Sequence, residues 1–172
     1  MKRIRTFCAG LALFASVSMA QPVSCLDNDP YAPLKLYDGN WEVRVSKPEA
    51  KTDHLSNHCT RTGLFYVCEQ IVNGKTSALV VFLPIGTNSS GALEYRTQPL
   101  LASGAPGGEW GNLTIMGENW LYFWDNQDSK KRVHWRVKNH FTGKDKIHFE
   151  VLSSEDGTSW NLQSAGDEER SQ

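Results

Sequence analysis

The chain has 172 residues, 40% of them hydrophobic and 22% charged, with 18 basic against 19 acidic side chains and a net charge of −1. That length makes one ordinary domain with a real core, and the balanced charge argues against the basic surface that nucleic acid or an anionic membrane demands. Six tryptophans add an aromatic load that suits the pleated surface of an all-β domain.

In chain order, the first element is an address. Lys2, Arg3 and Arg5 precede an uncharged apolar run over 7–17, and Ser18-Met19-Ala20 supplies the small residues that a signal peptidase reads. Residues 1–20 are expected to be a signal peptide. The run is shorter than the roughly 20 apolar residues of a membrane-spanning helix, and no later segment reaches that length, so no transmembrane segment is expected. Cys25, preceded by Pro22-Val23-Ser24, lies too far downstream for a lipid anchor. Removing the leader leaves 15 basic and 19 acidic residues, a net charge of −4. The expected location is periplasmic or secreted. Three cysteines remain, Cys25, Cys59 and Cys68, which in an oxidising compartment means one bridged pair and one leftover thiol.

Residues 21–38, with Pro22, Pro30 and Pro33, read as an irregular lead that packs Tyr31, Leu34 and Leu36 on the domain. Beyond it, short bursts of apolar and polar alternation are separated by glycine-bearing turns, and no helical period lasts beyond a turn or two. Strands are expected near 41–47, 54–62, 65–72, 75–83, 92–98, 110–116, 119–125, 132–141, 146–153 and 158–165. The fold class is all-β, an antiparallel up-and-down meander closed into a barrel of about eight to ten strands over 39–166, followed by a polar tail over 167–172. Gly63-Leu64 and Gly117-Glu118 fit type II′ turns, while Asn73-Gly74 and Asp156-Gly157 fit type I′, where both central residues need positive φ. Two-residue hairpins fix the pairing: Cys59 opposite Cys68, His58 opposite Glu69, Phe65 opposite Phe82, Val67 opposite Val80, Glu69 opposite Ala78, Ile115 opposite Trp120, Leu113 opposite Tyr122 and Val151 opposite Leu162. The connections over 84–91 and 99–109, rich in Gly, Ser and Pro, are expected as loops over a barrel mouth.

The register makes Cys59 and Cys68 a non-hydrogen-bonded pair, whose Cα atoms approach to about 4.5 Å, within disulfide range. A zinc site would need two further ligands. Both faces of the strands between 54 and 83 are apolar. On one reading His58 and Glu69 face the lumen as a polar pair beside Ala78, with the lead covering the outer face; on the other they form an exposed surface pair. His54 and His58, four apart on a strand, are separated by about 13 Å and are not a metal pair. His140 and His148 face each other if the turn at Thr142-Gly143 is five residues long, and a solvated hairpin is the simpler reading. Trp120, Tyr122, Trp124 and Trp135 share one face, as core wall or as a stacking surface for a flat or apolar ligand. No Gly-x-Ser-x-Gly, His-Glu-x-x-His or phosphate loop occurs, which argues against an enzyme without excluding one, and no cofactor or metal is expected.

Gly39-Asn40-Trp41, opening the first strand after an irregular lead, resembles the Gly-x-Trp of lipocalins. The stretches Trp120 to Phe123, the Arg136 strand, Asn139-His140-Phe141-Thr142-Gly143 and Ser154 to Trp160 resemble secreted lipocalin-like bacterial proteins of unknown function, a likeness covering most of 39–165. It departs from lipocalins in lacking the Thr-Asp-Tyr-type second motif and an amphipathic helix before the last strand. The resemblance implies a barrel whose closed end is crossed by the Trp41 indole with a basic residue stacked over it, Arg170 or Arg136. The leading functional reading is an exported lipocalin-like barrel holding a small apolar or amphipathic molecule in its lumen. The alternative is an envelope protein-binding barrel, such as an inhibitor of a secreted hydrolase, that uses the 99–109 loop as a wedge. A third is a small barrel enzyme using Glu69 and His58. An open lumen above about 300 Å³ favours the first. The ligand site is expected under the 84–91 and 99–109 loops, with His58, Glu69 and the four-residue aromatic face.

Overall fold

The computed structural model describes residues 29–128 and 131–171. The expected leader and the start of the lead, Cys25 included, lie outside the described residues. A 3-10 turn, Pro33–Tyr37, leads into ten strands: β1 (Gly39–Lys47), β2 (Lys51–Thr62), β3 (Phe65–Val72), β4 (Lys75–Thr87), β5 (Leu93–Leu101), β6 (Gly111–Met116), β7 (Asn119–Asp128), β8 (Lys131–Thr142), β9 (Lys146–Ser154) and β10 (Asn161–Arg170). Each pairs antiparallel with its sequence neighbours and β1 pairs with β10, so the meander closes into a barrel with no free edge. Among the described residues no helix is long and apolar enough to cross a membrane.

The turns at 63–64 and 117–118 set the expected registers, with Cys59 opposite Cys68, His58 opposite Glu69, Ile115 opposite Trp120 and Leu113 opposite Tyr122. His140 also faces His148. At Asn73-Gly74 the turn is as expected, both residues at positive φ, but the pairing beyond it is not. Val72 faces Lys75 and Ile71 faces Thr76, then Gln70 faces Ala78. Ser77 is bulged out. One extra residue on β4 moves every later pair by one place, so Tyr66 faces Phe82, Cys68 faces Val80 and Glu69 faces Leu79, in place of the expected partners. The bulge decides which face is inside: Tyr66, Cys68 and Gln70 join Ala78, Val80 and Phe82, and Phe65, Val67 and Glu69 turn outward with Leu79.

Asp156-Gly157 does not make a two-residue hairpin. Strand pairing stops at Ser153 with Asn161, and a further shift in β10 puts Val151 opposite Ser164, not Leu162. The side chain of Asp156 explains the wider turn, since its Oδ1 accepts from the backbone N–H groups of Thr158 and Ser159 and from the Ser154 hydroxyl. Those bonds hold the Asp156 carboxyl well below its usual pKa. β10 then continues to Arg170 through residues expected as tail, with Glu169 opposite Glu42 and Arg170 opposite Trp41. A strand that alternates charge with charge lacks the apolar signal by which strands are read.

In an up-and-down barrel successive connections alternate between the two ends. The β4–β5 and β5–β6 connections therefore lie at opposite ends, which corrects the expectation that both cover one mouth. Regular pairing also extends into them, to Thr87 on β4 and Leu101 on β5. The end bearing Gly39, residues 63–64, 88–92, 117–118 and 143–145 is closed by the lead. Tyr31 donates its hydroxyl to the Leu64 carbonyl at 2.6 Å and Tyr95 donates to the Pro30 carbonyl. Tyr31, Leu34, Trp41, Leu113, Trp120, Phe141 and Ile147 pack there as the core. The described part of the lead, residues 29–38, is thus a plug and not a cover for the outer apolar face.

Candidate functional site

Gly39 begins β1 at φ +118°, and a Cβ on it would fall against the Arg170 guanidinium. Its absence lets Arg170 reach over Trp41, with the guanidinium carbon 4.2 Å from the indole centroid. Arg170 donates to the carbonyls of Asp38 at 2.6 Å, Leu36 at 2.9 Å and Lys144 at 3.1 Å, and pairs with Asp145 at 3.1 Å. Trp41 donates its Nε1–H to the Tyr37 carbonyl at 3.1 Å. Arg136, the other basic residue considered for this place, lies on the outer wall between the rings of Phe123 and Trp160, at 4.7 and 3.9 Å. Cys59 and Cys68 are joined as a disulfide across β2 and β3.

Above this floor the barrel is hollow. A cavity of about 290 Å³, just below the roughly 300 Å³ above which an open lumen favours a ligand, is lined by Leu55, Val80, Phe82, Pro99, Tyr122, Trp124, Val137, Phe149 and Val151, with Gln70, Thr97, Asn139, Glu168 and Tyr37 as the polar groups. Its wall is mostly apolar because every strand turns alternate residues inward. Gly166 keeps the wall narrow here, as a Cβ on it would strike the Phe149 ring and the Arg44 carbonyl.

The polar groups converge. Tyr122 donates its hydroxyl to the Tyr37 hydroxyl oxygen at 3.1 Å, and Asn139 Nδ2 donates to the same oxygen. Glu168 turns inward from β10; its Oε2 is shielded from solvent and has no hydrogen-bond partner, and neither has Asn139 Oδ1. Burial raises the Glu168 carboxyl from its ordinary value to about 7. Burial, with the charge of Glu168 as the next contribution, also pushes the Tyr37 hydroxyl up. Tyr122 is raised by burial and by its neighbour Tyr37. Both phenols are therefore neutral donors.

Of the residues nominated from sequence, Tyr122 and Trp124 line this cavity. Trp120 lies in the closed-end core, 4.4 Å centroid to centroid from Phe141 and 4.9 Å from Tyr37. Trp135 stacks beside Trp124 with centroids 6.0 Å apart and planes within 8°. His58 and Glu69 are not in the lumen. They face each other on the outer wall, His58 exposed and Glu69 accepting a hydrogen bond from Thr76 at 3.2 Å. The Ser77 bulge is the reason, because it commits the Cys68 face of β3 to the interior. His140 and His148 are likewise exposed, their Nδ1 atoms engaged with Asn119 at 3.0 Å and Asp167 at 2.8 Å. Among the described residues no cluster of His, Cys, Asp or Glu has metal-binding geometry.

Sequence reading does not find Tyr37 or Glu168, because Tyr37 lies in the irregular lead and Glu168 in the stretch expected as a polar tail. One signal was available. If Arg170 stacks over Trp41 from a strand, Glu168 two residues earlier shares its side of the sheet and points inward. The 88–92 connection is at the closed end against the lead, whereas the 102–110 loop stands at the open end, where Gln98 Nε2 donates to the Gly108 carbonyl at 3.1 Å and a Cβ on Gly108 would meet the Trp124 ring. Compared with known proteins, the chain matches no family model and no curated relative.

Proposed function

We propose that this protein is an exported, non-enzymatic, lipocalin-like barrel that holds a small apolar or amphipathic molecule in its lumen. The observation that carries the reading is the hollow, largely apolar interior of about 290 Å³ with one shielded carboxyl oxygen left without a partner. A barrel built only for stability fills its interior with side chains and leaves no acidic group unpaired in it. The Gly39-Asn40-Trp41 opening and the Arg170 stack support the lipocalin likeness. The cationic N-terminus followed by an apolar run, together with the Cys59–Cys68 bridge, supports a periplasmic or secreted location.

Trp124 in the lumen wall supplies the readout. Titration with 1-aminoanthracene should quench tryptophan fluorescence and raise the probe's own emission at one site per chain, and Trp124→Phe should remove most of the quenching. Binding that leaves tryptophan emission unchanged, or none, overturns the reading. The rival reading, a protein-binding barrel such as an inhibitor of a secreted hydrolase, is favoured by Trp110 and Leu101, 48% and 46% exposed at the foot of the 102–110 loop. Native mass spectrometry of protein purified from its own host separates the two, through a retained small molecule or a retained partner chain.

A further inference from the structure

The lumen floor is asymmetric in its hydrogen bonding. The Tyr122 hydroxyl proton and one of the two N–H groups of Asn139 Nδ2 are committed to the Tyr37 oxygen, which fills both of its acceptor positions and leaves the proton of Tyr37, beside the second N–H of Asn139, to donate elsewhere. Against it stand two shielded acceptors without partners, Glu168 Oε2 and Asn139 Oδ1. Among the described residues no cation lines the cavity beside the carboxylate. Its cross-strand neighbours on the lumen side are Val43 of β1 and Ile147 of β9, and the titratable groups set against it are the phenols of Tyr37 and Tyr122. Away from the floor the wall changes to Val80, Pro99, Trp124 and Val151. A guest that completes this arrangement brings several N–H donors and a positive charge at one end and an apolar body at the other.

We propose that Glu168, with the Asn139 side-chain oxygen, binds the protonated amino head of a small amphipathic amine whose apolar body lies along the lumen. The assignment rests on the lumen reading above and adds the head-group chemistry to it. An ammonium offers three donors, enough for both open acceptors, and a charge-assisted bond to a shielded carboxylate is among the stronger polar contacts a protein makes. Binding then keeps the carboxyl ionised, whereas the empty lumen favours its protonated form up to about pH 7.

Octylamine, octanol and octanoic acid share a chain and differ only in the head, so calorimetric titration of the three into the intact protein isolates that contribution. At pH 8 octylamine should bind roughly tenfold or more tighter than octanol. The preference should shrink as pH falls from 8 to 5 and the carboxyl takes up its proton. Glu168→Gln, nearly isosteric, should abolish the preference while octanol affinity stays within about twofold. The pH profile of the unmodified protein keeps the test decisive if the variant fails to fold. If octanol or octanoic acid binds as tightly as octylamine at pH 8, or if Glu168→Gln keeps the preference, the amine assignment falls and the lumen reading stands. If none of the three binds, both fall.

Discussion

The two halves of the barrel treat polar groups in opposite ways. At the closed end Trp41 Nε1, the Tyr31 and Tyr95 hydroxyls and the Arg170 guanidinium all reach backbone carbonyls, tying the lead, β1, β10 and the β8–β9 turn together. In the hollow half Glu168 Oε2 and Asn139 Oδ1 are shielded and open. Satisfied buried groups stabilise and fix a structure, and an open one costs free energy that a bound partner group can recover. The contrast separates the part of the chain that makes the fold from the part free to act. Nothing in the structure explains Asn57, buried beside the closed end with both side-chain polar atoms unpaired.

The largest effect expected is at the closed end. Trp41→Ala removes a side chain only 1% exposed, together with its bond to Tyr37 and the stack under Arg170, and should lower unfolding free energy by about 3 to 5 kcal/mol in denaturant titration. A loss below about 1 kcal/mol would place the stability elsewhere and break the comparison.

In the hollow half a substitution should stabilise. The Glu168 carboxyl titrates near 4.5 in the unfolded chain and about 7 in the fold, so between those values the folded state holds more protons and stability falls as pH rises. The full loss, about 3 kcal/mol, is in place above the folded value. Glu168→Gln should therefore be more stable than the unmodified protein by up to about that amount at pH 8 and equal to it below pH 4.5. Parallel stability curves for the two proteins from pH 4 to 8 would mean that the carboxyl is solvated and the lumen floor wet.

The Cys59–Cys68 bridge belongs with the stabilising set. It joins two residues nine apart in sequence, and its reduction should cost about 2 to 3 kcal/mol without altering ligand affinity, because Cys68 lies against the core and neither sulfur lines the cavity.

What could be read in the sequence divides along the same line. The strand order, the closure, the disulfide register and the pairings at 63–64 and 117–118 follow from local rules, since tight turns and alternation need no knowledge of distant residues. The inward face of β3 and β4 did not follow, because both faces are apolar and Ser77, which decides between them, is an ordinary residue in an ordinary strand. Nor did Glu168. Its strand is recognisable by its position against β1 and by the Arg170 stack, not by its own composition. Binding groups break the pattern that marks a strand, so the features that make the floor useful also hid it.

The smallest effect expected concerns the residues that sequence reading set at the centre of a site. His58 is exposed on the outer wall and Glu69 faces it there, bonded to Thr76. A pair in that setting loses most of its attraction to solvent screening and contributes at most about 1 kcal/mol. Glu69→Gln and His58→Ala, singly or together, should leave the denaturation midpoint and the affinity for 1-aminoanthracene where they were. The outcome matters because a shallow surface hollow lies beside them, lined by Asp38, Thr60, Val67 and Leu79. A clear fall in affinity on Glu69→Gln with stability unchanged would move the ligand from the lumen to that outer hollow. It would also remove the functional meaning assigned to the open acceptors on the lumen floor. Unchanged binding, alongside a response to Glu168→Gln, keeps activity inside the barrel and leaves the outer wall as scaffold.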